Sequence, residues 1–574
     1  MNLDTQQKDA VKTTSTRALV LAGAGSGKTR VLIERIAWLI ETQKVSPTEI
    51  MAFSFTRKAS GEIRERLKQR IGGKAHAVHM GTMHGLALDF IHRFGELIGL
   101  RPAHVTIYGD WEAGYLLADM AQEMFAKKPA IKAAKEALER YYQTGEEPKE
   151  EDTGCELFTV FLARCRENNA LTYGALLIGL RLLIPALAKY LHIRHVLVDE
   201  IQDIDQLQWA IINEMVCAFN ANLFTVGDID QSIYEFRGAV PRYLVDHSEE
   251  FDIYKLETNY RSIPAIVEAA NCLIDRNQGR ITKTMRAIRE AQSLSPEGVQ
   301  VERNIQSEGI VALSTARCST EASVAILSRK HALLAKIDRL LEEGGIPHAY
   351  IGKTTALTNS EPFRRFHAFL KLSVNPFDNF SMLLIRDIIG LSREGYGQIR
   401  LEAAQTGESH FQAFKGNKDF IQFQPICGGS LSECAEYVNL KYPDLSPESM
   451  TFIQNYIAGH PDDVPSYLDW LATFDAQDEI RGDESEGITL ATIHAAKGLE
   501  WPVVIIAGCN EGIIPARPND LDEIEGERRL MYVAMTRAMD HLILTVRPTE
   551  STDAVGRIHN SPESRFILEL QGER

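Results

Sequence analysis

Short runs of Val, Ile and Leu recur along the chain, and most are followed by a longer stretch with helical spacing of apolar residues. Continuous apolar runs of this length predict strands covered on both faces, as in a parallel sheet. The clearest runs are Ala18–Ala22, Ile50–Phe55, Val196–Asp199, Leu223–Val226, Val324–Leu327, Ile488–Ile493, Val503–Ala507 and Leu542–Val546. Their alternation with helices indicates an α/β protein with its chemistry at the carboxyl ends of strands.

The predicted strands form two sets, and two long stretches with few strand-like runs interrupt them. We therefore expect two α/β lobes with parallel sheets, each carrying a mostly helical inserted subdomain. The expected segments are 1–93 and 191–265 for the first lobe, 94–190 for its insertion, 266–374 and 481–574 for the second lobe, and 375–480 for its insertion.

Composition places the chain among ordinary globular proteins of several domains, with 574 residues, 44% hydrophobic and 24% charged. The start of the chain lacks the pattern of a signal peptide. The most apolar segment, Gly174–Leu191, is interrupted by Arg181, Pro185 and Lys189, which predicts a buried helix that ends or kinks near Pro185. We expect no membrane span and a cytoplasmic location.

The net charge and the spacing of the cysteines argue against two kinds of binding. The net charge of −16 argues against a protein that coats DNA non-specifically, but it permits binding along a local basic groove. The eight cysteines form no CxxC pair and no closely spaced Cys/His cluster. The sequence therefore predicts reduced thiols and neither a zinc site nor an iron–sulfur cluster.

The clearest candidate for a ligand-binding segment is a glycine-rich turn between a strand and a helix. The sequence AGAGSGKT would turn its backbone N–H groups toward phosphates at the positive end of the helix dipole. Lys28 would reach the β- and γ-phosphates, and the Thr29 hydroxyl would bind Mg²⁺. The first glycine of the usual P-loop pattern is replaced by alanine. The predicted nucleotide-binding positions of this loop are Ala22, Gly23, Ala24, Gly25, Ser26, Gly27, Lys28, Thr29 and Arg30.

The strand at Val196–Asp199 supplies the acidic partner that a P-loop requires. Two adjacent carboxylates, Asp199 and Glu200, end the run and are expected to leave the strand on opposite sides. Asp199 would hold Mg²⁺, and Glu200 would orient and deprotonate the attacking water.

Nine motifs occur in an order that resembles superfamily 1 DNA helicases of the UvrD/Rep/PcrA type. They are Leu3…Gln7…Ala10-Val11, AGAGSGKT at Ala22–Thr29, FTRKA at Phe55–Ala59, GTMH at Gly81–His84, DEIQD at Asp199–Asp203, VGDIDQSIYEFRGA at Val226–Ala239, LETNYRS at Leu256–Ser262, TIHAAKGLEW at Thr492–Trp501 and ERRLMYVAMTRA at Glu527–Ala538. The resemblance implies two RecA-like P-loop motor lobes.

The resemblance also implies roles around ATP and Mg²⁺. Gln7 corresponds to the adenine reader, Tyr260 to the aromatic ring stacked on the base, and Glu500 to a group on the nucleotide side of the cleft. The catalytic positions, beside Glu200, are the γ-phosphate sensor Gln231 and the paired arginine fingers Arg261 and Arg537. Because Arg537 would come from the second lobe, closure of the lobes would complete the site.

On the DNA side, the resemblance implies base-stacking aromatic residues with polar neighbours, which suit a sliding contact with single strands. These positions are Phe55, Arg57, Thr82, His84, Tyr234, Phe236, Arg237 and His494. Two of them depart from the family pattern, since Arg57 replaces an Asn and Phe236 replaces a Trp.

These features predict an ATP-dependent single-stranded DNA translocase and helicase of 3′-to-5′ polarity, acting on single strands and single-strand/duplex junctions. Two alternatives stay open: the motor subunit of a larger nuclease or defence assembly, and a protein-displacing translocase with weak unwinding. The second insertion is short, which leaves the strength of unwinding open. A protein partner in repair, replication or defence also stays open.

Overall fold

A computed structural model describes residues 3–235, 238–240, 242–289, 298–321, 323–351, 358, 360–414, 429–474, 487–516, 520–548, 550–552 and 558–570. The chain forms two compact units. Unit 1 consists of Met1–Thr82, Leu191–Lys353 and Asp475–Arg574, and unit 2 consists of Met83–Tyr190 and Thr354–Phe474. Strands and helices are numbered below in chain order.

Unit 1 contains a first six-stranded parallel sheet in the order β3-β2-β6-β7-β1-β8. Its strands are β1 Arg17–Ala22, β2 Ile50–Ser54, β3 His79–Thr82, β6 His195–Val198, β7 Asn222–Gly227 and β8 Asp252–Leu256. The helices of this part of the chain are α1 Thr5–Lys12, α2 Lys28–Glu41, α3 Arg57–Ile71, α9 Gln206–Phe219, α10 Arg242–Asp246 and α11 Pro264–Ile274. One apolar core joins α1 and α2 to the central strands.

The second six-stranded parallel sheet of unit 1 has the order β11-β16-β15-β12-β14-β13. Its strands are β11 Val299–Arg303, β12 Ser323–Ser328, β13 His348–Tyr350, β14 Gly487–Thr492, β15 Trp501–Ala507 and β16 Ala538–Val546. The accompanying helices are α12 Ser307–Glu321, α13 His331–Glu343, α21 Leu521–Met535 and α22 Arg565–Leu570. The described residues of the unit also form two small strand pairs, parallel β9 Thr258–Asn259 with β10 Arg286–Ala287 and antiparallel β17 Glu550–Thr552 with β18 Ile558–Asn560.

The two sheets confirm the predicted α/β class, and all eight apolar runs are strands of these sheets. Within the two six-stranded sheets, the four strands that no such run marks are β3, β8, β11 and β13, which are the edge strands. Their side chains are mostly half-buried or exposed, as in β8 and β11. An edge strand is covered less completely than a central one, so its sequence lacks a continuous apolar run.

The described residues of unit 2 are mostly helical and form one short parallel strand pair, β4 Thr106–Tyr108 and β5 Ala170–Thr172. Its helices are α4 Met83–Phe94, α5 Asp110–Glu123, α6 Lys128–Thr144, α7 Cys155–Glu167, α8 Ala175–Tyr190, α14 Glu361–Val374, α15 Asn379–Ile385, α16 Arg393–Thr406, α17 His410–Phe414, α18 Leu431–Lys441, α19 Pro447–Ile457 and α20 Val464–Ala472. Helix α8 does not end at Pro185 but continues for five residues beyond it. No helix among the described residues is long and apolar enough to cross a membrane.

A buried polar network joins the two chain segments of unit 2. The Asn375 side-chain amide donates to Thr106 Oγ1 at 2.8 Å and to the carbonyl oxygens of Asn168 and Asn169 at 3.0 and 3.1 Å. Nearby, the Tyr108 hydroxyl donates to Asp378 Oδ1 at 2.6 Å. Because buried polar groups are costly without partners, these bonds fix one arrangement of the two insertions.

We expect Asn375→Ala to reduce the local stability of unit 2 by about 1–3 kcal/mol, because it leaves two buried carbonyl groups and one hydroxyl without their donor. Hydrogen–deuterium exchange of the β4 and β5 amides measures this change. Gln405→Ala removes the same carboxamide from an exposed position of α16 and is the matched control. Equal exchange in both variants would contradict the assigned role of the network.

Candidate nucleotide-binding site

The glycine-rich loop lies between β1 and α2, at the carboxyl end of the first sheet. Gly25 and Gly27 have φ angles of +68° and +83°, which residues with a Cβ rarely adopt. Gly27 is the N-terminal cap of α2, so Lys28, Thr29 and Arg30 form the first turn of that helix. The backbone therefore presents the open N-terminus that binds phosphate groups.

The segment that follows β8 holds the loop in place. Asn259 Nδ2 donates to the Ala24 carbonyl at 2.7 Å, and the Tyr260 N–H donates to the Gly25 carbonyl at 2.9 Å. A Cβ on Gly25 would lie 2.7 Å from Arg261 Cβ. A Cβ on Gly23 would overlap the Met285 side chain. The glycines thus allow this segment to approach the loop backbone closely.

Gln7 and Tyr260 converge on the same end of the loop. The Gln7 side chain is buried, and its Nε2 donates to the Ser26 carbonyl at 2.9 Å. The Tyr260 hydroxyl donates to Asp4 Oδ2 at 2.5 Å, where Asp4 caps α1. Burial together with this carboxylate raises the pKa of Tyr260 to about 12. The structure therefore brings both predicted base-side residues to the loop.

The acidic pair Asp199 and Glu200 follows β6 directly. Strand β6 ends at Val198, and Glu200 has a positive φ of +50°, so the alternation expected of a strand does not extend to the pair. Lys28 Nζ lies 3.2 Å from both Glu200 carboxylate oxygens. Although burial opposes ionisation, Lys28 and Lys497 lower the pKa of Glu200 to about 2. A non-glycine residue in this conformation costs on the order of 1–3 kcal/mol and often marks a functional site.

Asp199 has the properties of a divalent-cation ligand. In the described part of the chain, its Oδ1 atom is buried without a hydrogen-bond partner. Burial, with the adjacent Glu200 carboxylate, raises the pKa of Asp199 to about 7. A buried carboxylate oxygen without a donor, close to the α2 N-terminus that carries Thr29, fits a hard cation such as Mg²⁺.

Arg537 of the second sheet reaches Gln231 of the first. Arg537 follows α21 and is fully buried, and its Nη2 donates to Gln231 Oε1 at 3.3 Å. Gln231 Nε2 in turn donates to Asp228 Oδ2 at 2.5 Å. Burial, with the neighbouring Arg261 cation, lowers the pKa of Arg537 to about 9. The Arg537 guanidinium group, which comes from the second-sheet part of unit 1, therefore lies beside Gln231, the predicted γ-phosphate sensor in the first-sheet part.

Arg261 also bridges the two halves of unit 1. Its Nε donates to Glu500 Oε2 at 2.5 Å, and its Nη1 donates to the Thr536 carbonyl at 2.9 Å. Glu500 is half-exposed and pairs with Arg261 in this structure. The two predicted arginine fingers are therefore close to one another and close to Thr536.

Several buried charged residues of the site were not predicted from the sequence. Lys497 Nζ forms an ion pair with Asp203 and donates to the Gln231 carbonyl at 2.7 Å. Lys283 Nζ forms ion pairs with Asp228 and Asp230. Asp203, Asp228 and Lys497 lie within the recognised motifs, so their positions could have indicated a role. Lys283 lies outside those motifs, and no local sequence pattern marks it.

Of the predicted DNA-side residues, three lie together in unit 1. The rings of Phe55 and Tyr234 stack with centroids 4.9 Å apart, and the Tyr234 hydroxyl donates to the His494 carbonyl at 3.3 Å. Lys497 Nζ lies 5.2 Å from the centroid of the Tyr234 ring. Tyr234 is buried, so Phe55 and His494 form the more accessible part of this cluster.

The remaining DNA-side positions are distributed along the chain. Arg57 begins α3, and Thr82 ends β3. His84 belongs to unit 2, where its ring stacks on Tyr173 with centroids 4.2 Å apart, and burial lowers its pKa to about 4. Phe236 and Arg237 lie outside the described residues.

Two protein-family models match the chain in sequence order. The UvrD/REP helicase N-terminal domain matches residues 3–252, and the UvrD-like helicase C-terminal domain matches residues 254–406 and 467–548. The chain belongs to the UvrD/Rep helicase family. As a member of this family it is an ATP-hydrolysing enzyme with two RecA-like lobes, which correspond to the two parallel sheets of unit 1.

Curated relatives of this helicase align over its whole length. A protein of Leuconostoc citreum named ATP-dependent DNA helicase PcrA is 29% identical over 100% of this chain and 85% of its own length. The proteins of that name from Staphylococcus epidermidis and Staphylococcus aureus are 29% and 27% identical over 99% of this chain and 86% of their own lengths. The resemblance inferred from the nine motifs is thus confirmed.

We expect Gly25→Ala in this helicase to weaken ATP binding by more than about tenfold, because the added Cβ would displace the segment that carries Arg261. Equilibrium titration with a fluorescent ATP analogue measures the affinity. Gly345→Ala is the matched control, since Gly345 also has a positive φ, of +62°, but a Cβ there would contact nothing within 4 Å. Comparable affinities of the two variants would show that the close approach has no role in ATP binding.

Proposed function

We propose that this protein is an ATP-dependent single-stranded DNA translocase and helicase that moves 3′ to 5′. The observation that carries the proposal is the contact of Arg537, from the second lobe, with Gln231 of the first. An ATP site assembled from both lobes changes when the lobes separate, so hydrolysis is coupled to their motion.

The Lys28–Glu200 ion pair suggests how phosphate binding controls the catalytic carboxylate. In this structure Lys28 and Lys497 stabilise the ionised form of Glu200, which makes it a weak base. The γ-phosphate of ATP is a competing anionic partner for Lys28. Once Lys28 turns to phosphate, the pKa of Glu200 rises, and its carboxylate becomes a stronger acceptor for the proton of the attacking water.

The remaining residues of the site would bind and polarise the nucleotide. Asp199 and the Thr29 hydroxyl would hold Mg²⁺, which supplies charge neutralisation at the phosphates when bound. Arg261 and Arg537 would stabilise the charge that develops on the transferred phosphoryl group, since planar guanidinium groups match its oxygens. Gln7 and Tyr260 would form the base-side wall, consistent with their positions beside the loop.

A short structural path links the ATP side to the proposed DNA side. Gln231 and Tyr234 belong to one segment after β7, and His494 and Lys497 belong to one segment after β14. Lys497 contacts Gln231, and the Tyr234 hydroxyl contacts His494. A shift of Gln231 on ATP binding therefore acts on two segments that carry proposed DNA contacts. Stacking of bases on Phe55 would be tolerant of sequence, as a translocase requires.

We expect single-stranded DNA to stimulate ATP hydrolysis strongly in the wild-type protein. Lys28→Ala should lower kcat by about 100-fold or more, because a cation that stabilises the phosphates is lost. Glu200→Gln should lower kcat by about 100- to 10,000-fold, because the general base is lost. Steady-state ATPase assays with and without single-stranded DNA measure both effects.

The exposed pair Lys132–Glu136 on α6 offers matched controls, because Lys132→Ala and Glu136→Gln make the same chemical changes away from the site. Both controls should retain wild-type hydrolysis. Wild-type hydrolysis that does not respond to DNA would contradict the proposed coupling.

Polarity is tested with single-stranded DNA that carries streptavidin on a biotin at one end. Movement from 3′ to 5′ should displace streptavidin from the 5′ end much faster than from the 3′ end, and only with ATP. Duplexes with a 3′ single-stranded tail should be unwound in preference to those with a 5′ tail. Displacement mainly from the 3′ end would show the opposite polarity, and displacement without strand separation would show a translocase that is not a helicase.

A further inference from the structure

Three side chains that lie far apart in sequence meet in unit 2. His92 lies on α4, His104 lies before β4, and Asp469 lies on α20. The Nε2 atoms of His92 and His104 lie 3.1 and 3.4 Å from the same oxygen, Asp469 Oδ1. Within the described ranges, this is the one group of three His, Cys, Asp or Glu side chains whose ligand atoms all lie within 4.8 Å of one another.

The geometry of this group matches that of a metal-binding site. Ligands about 2.0–2.1 Å from a tetrahedral Zn²⁺ ion are separated by about 3.3 Å, which is close to both His–Asp distances. The two imidazole rings are stacked with centroids 4.8 Å apart, and both present their Nε2 atoms to Asp469. The Asp469 side chain is 30% exposed, which leaves access for an ion and for water as a fourth ligand.

The chemistry of the donor set also favours a transition metal over Mg²⁺ or Ca²⁺. Imidazole nitrogens bind Zn²⁺ well, whereas Mg²⁺ and Ca²⁺ prefer oxygen ligands only.

We propose that His92, His104 and Asp469 form a Zn²⁺ site that ties together the two inserted segments of the chain. His92 and His104 belong to the Met83–Tyr190 segment of unit 2, and Asp469 belongs to its Thr354–Phe474 segment. A bound ion adds a coordination link to the hydrogen bonds that Asn375 makes between the same two segments. Occupancy of this site would therefore set how rigidly the two insertions are held together.

The test uses full-length protein freed of transition metals and kept in excess Mg²⁺, so that oxygen-only sites are occupied. Titration with Co²⁺ should give visible d–d absorption that saturates at one equivalent, shows no thiolate-to-cobalt charge transfer and disappears when Zn²⁺ is added. Zn²⁺ should also raise the midpoint of thermal unfolding.

Asp469→Asn preserves the shape of the side chain and should weaken Co²⁺ binding by more than the roughly 10- to 100-fold that substitutions outside the ligand shell cause. It should also abolish the Zn²⁺-dependent shift in the unfolding midpoint. His247→Gln is the control, because His247 pairs with Glu250 at 2.6 Å in unit 1 and the described residues place no third His, Cys, Asp or Glu ligand beside them. This variant should bind Co²⁺ as the wild type does. Absence of stoichiometric binding by the wild type, or equal binding by Asp469→Asn, would show that the three residues form hydrogen bonds only.

Discussion

The pairing of buried charges between the two lobes of unit 1 is the constraint on which the proposed ATP site depends. Lys497 comes from the second lobe, and its ammonium group lies on the buried Asp203 carboxylate of the first. Arg529, which is also buried, pairs with Glu235, whose side chain is 41% exposed. A buried charge without a partner is strongly destabilising, so each pair fixes the position of one sheet against the other. Arg537 and Gln231 meet because these neighbouring pairs hold the lobes together.

Neighbouring charges also explain the unusual ionisation of Asp199 and Glu200, the two carboxyl groups that we propose as metal ligand and general base. Asp199 and Glu200 are adjacent and buried, yet burial raises the pKa of Asp199 and lysine cations lower that of Glu200. The difference arises because Lys28 binds the Glu200 carboxylate directly, while Asp199 Oδ1 has no hydrogen-bond donor among the described residues. One carboxyl group is thus suited to a metal ion and the other to proton transfer, and both respond to the position of a single lysine.

The two insertions depend on a different kind of contact. They share buried apolar residues, such as Phe380, which packs in the same cluster as Tyr108 and Leu116. Polar bonds from Asn375 and Asp378 then select one register for this packing. Hydrophobic attraction is non-directional, whereas a buried amide that donates to specific acceptors fixes one arrangement. The histidines and the carboxylate of the proposed Zn²⁺ site meet because this register is fixed.

The sequence by itself determined the α/β class, the eight central strands, the nucleotide-binding loop and the family, because these features leave local patterns: continuous apolar runs, glycines with required backbone angles, and ordered motifs. It did not mark the edge strands, which are only partly covered. It also did not mark the Lys283 ion pairs or the meeting of His92 with Asp469, since these partners are far apart in the chain. Only the tertiary structure decided those contacts, because long-range proximity is set by packing and leaves no spacing in the sequence.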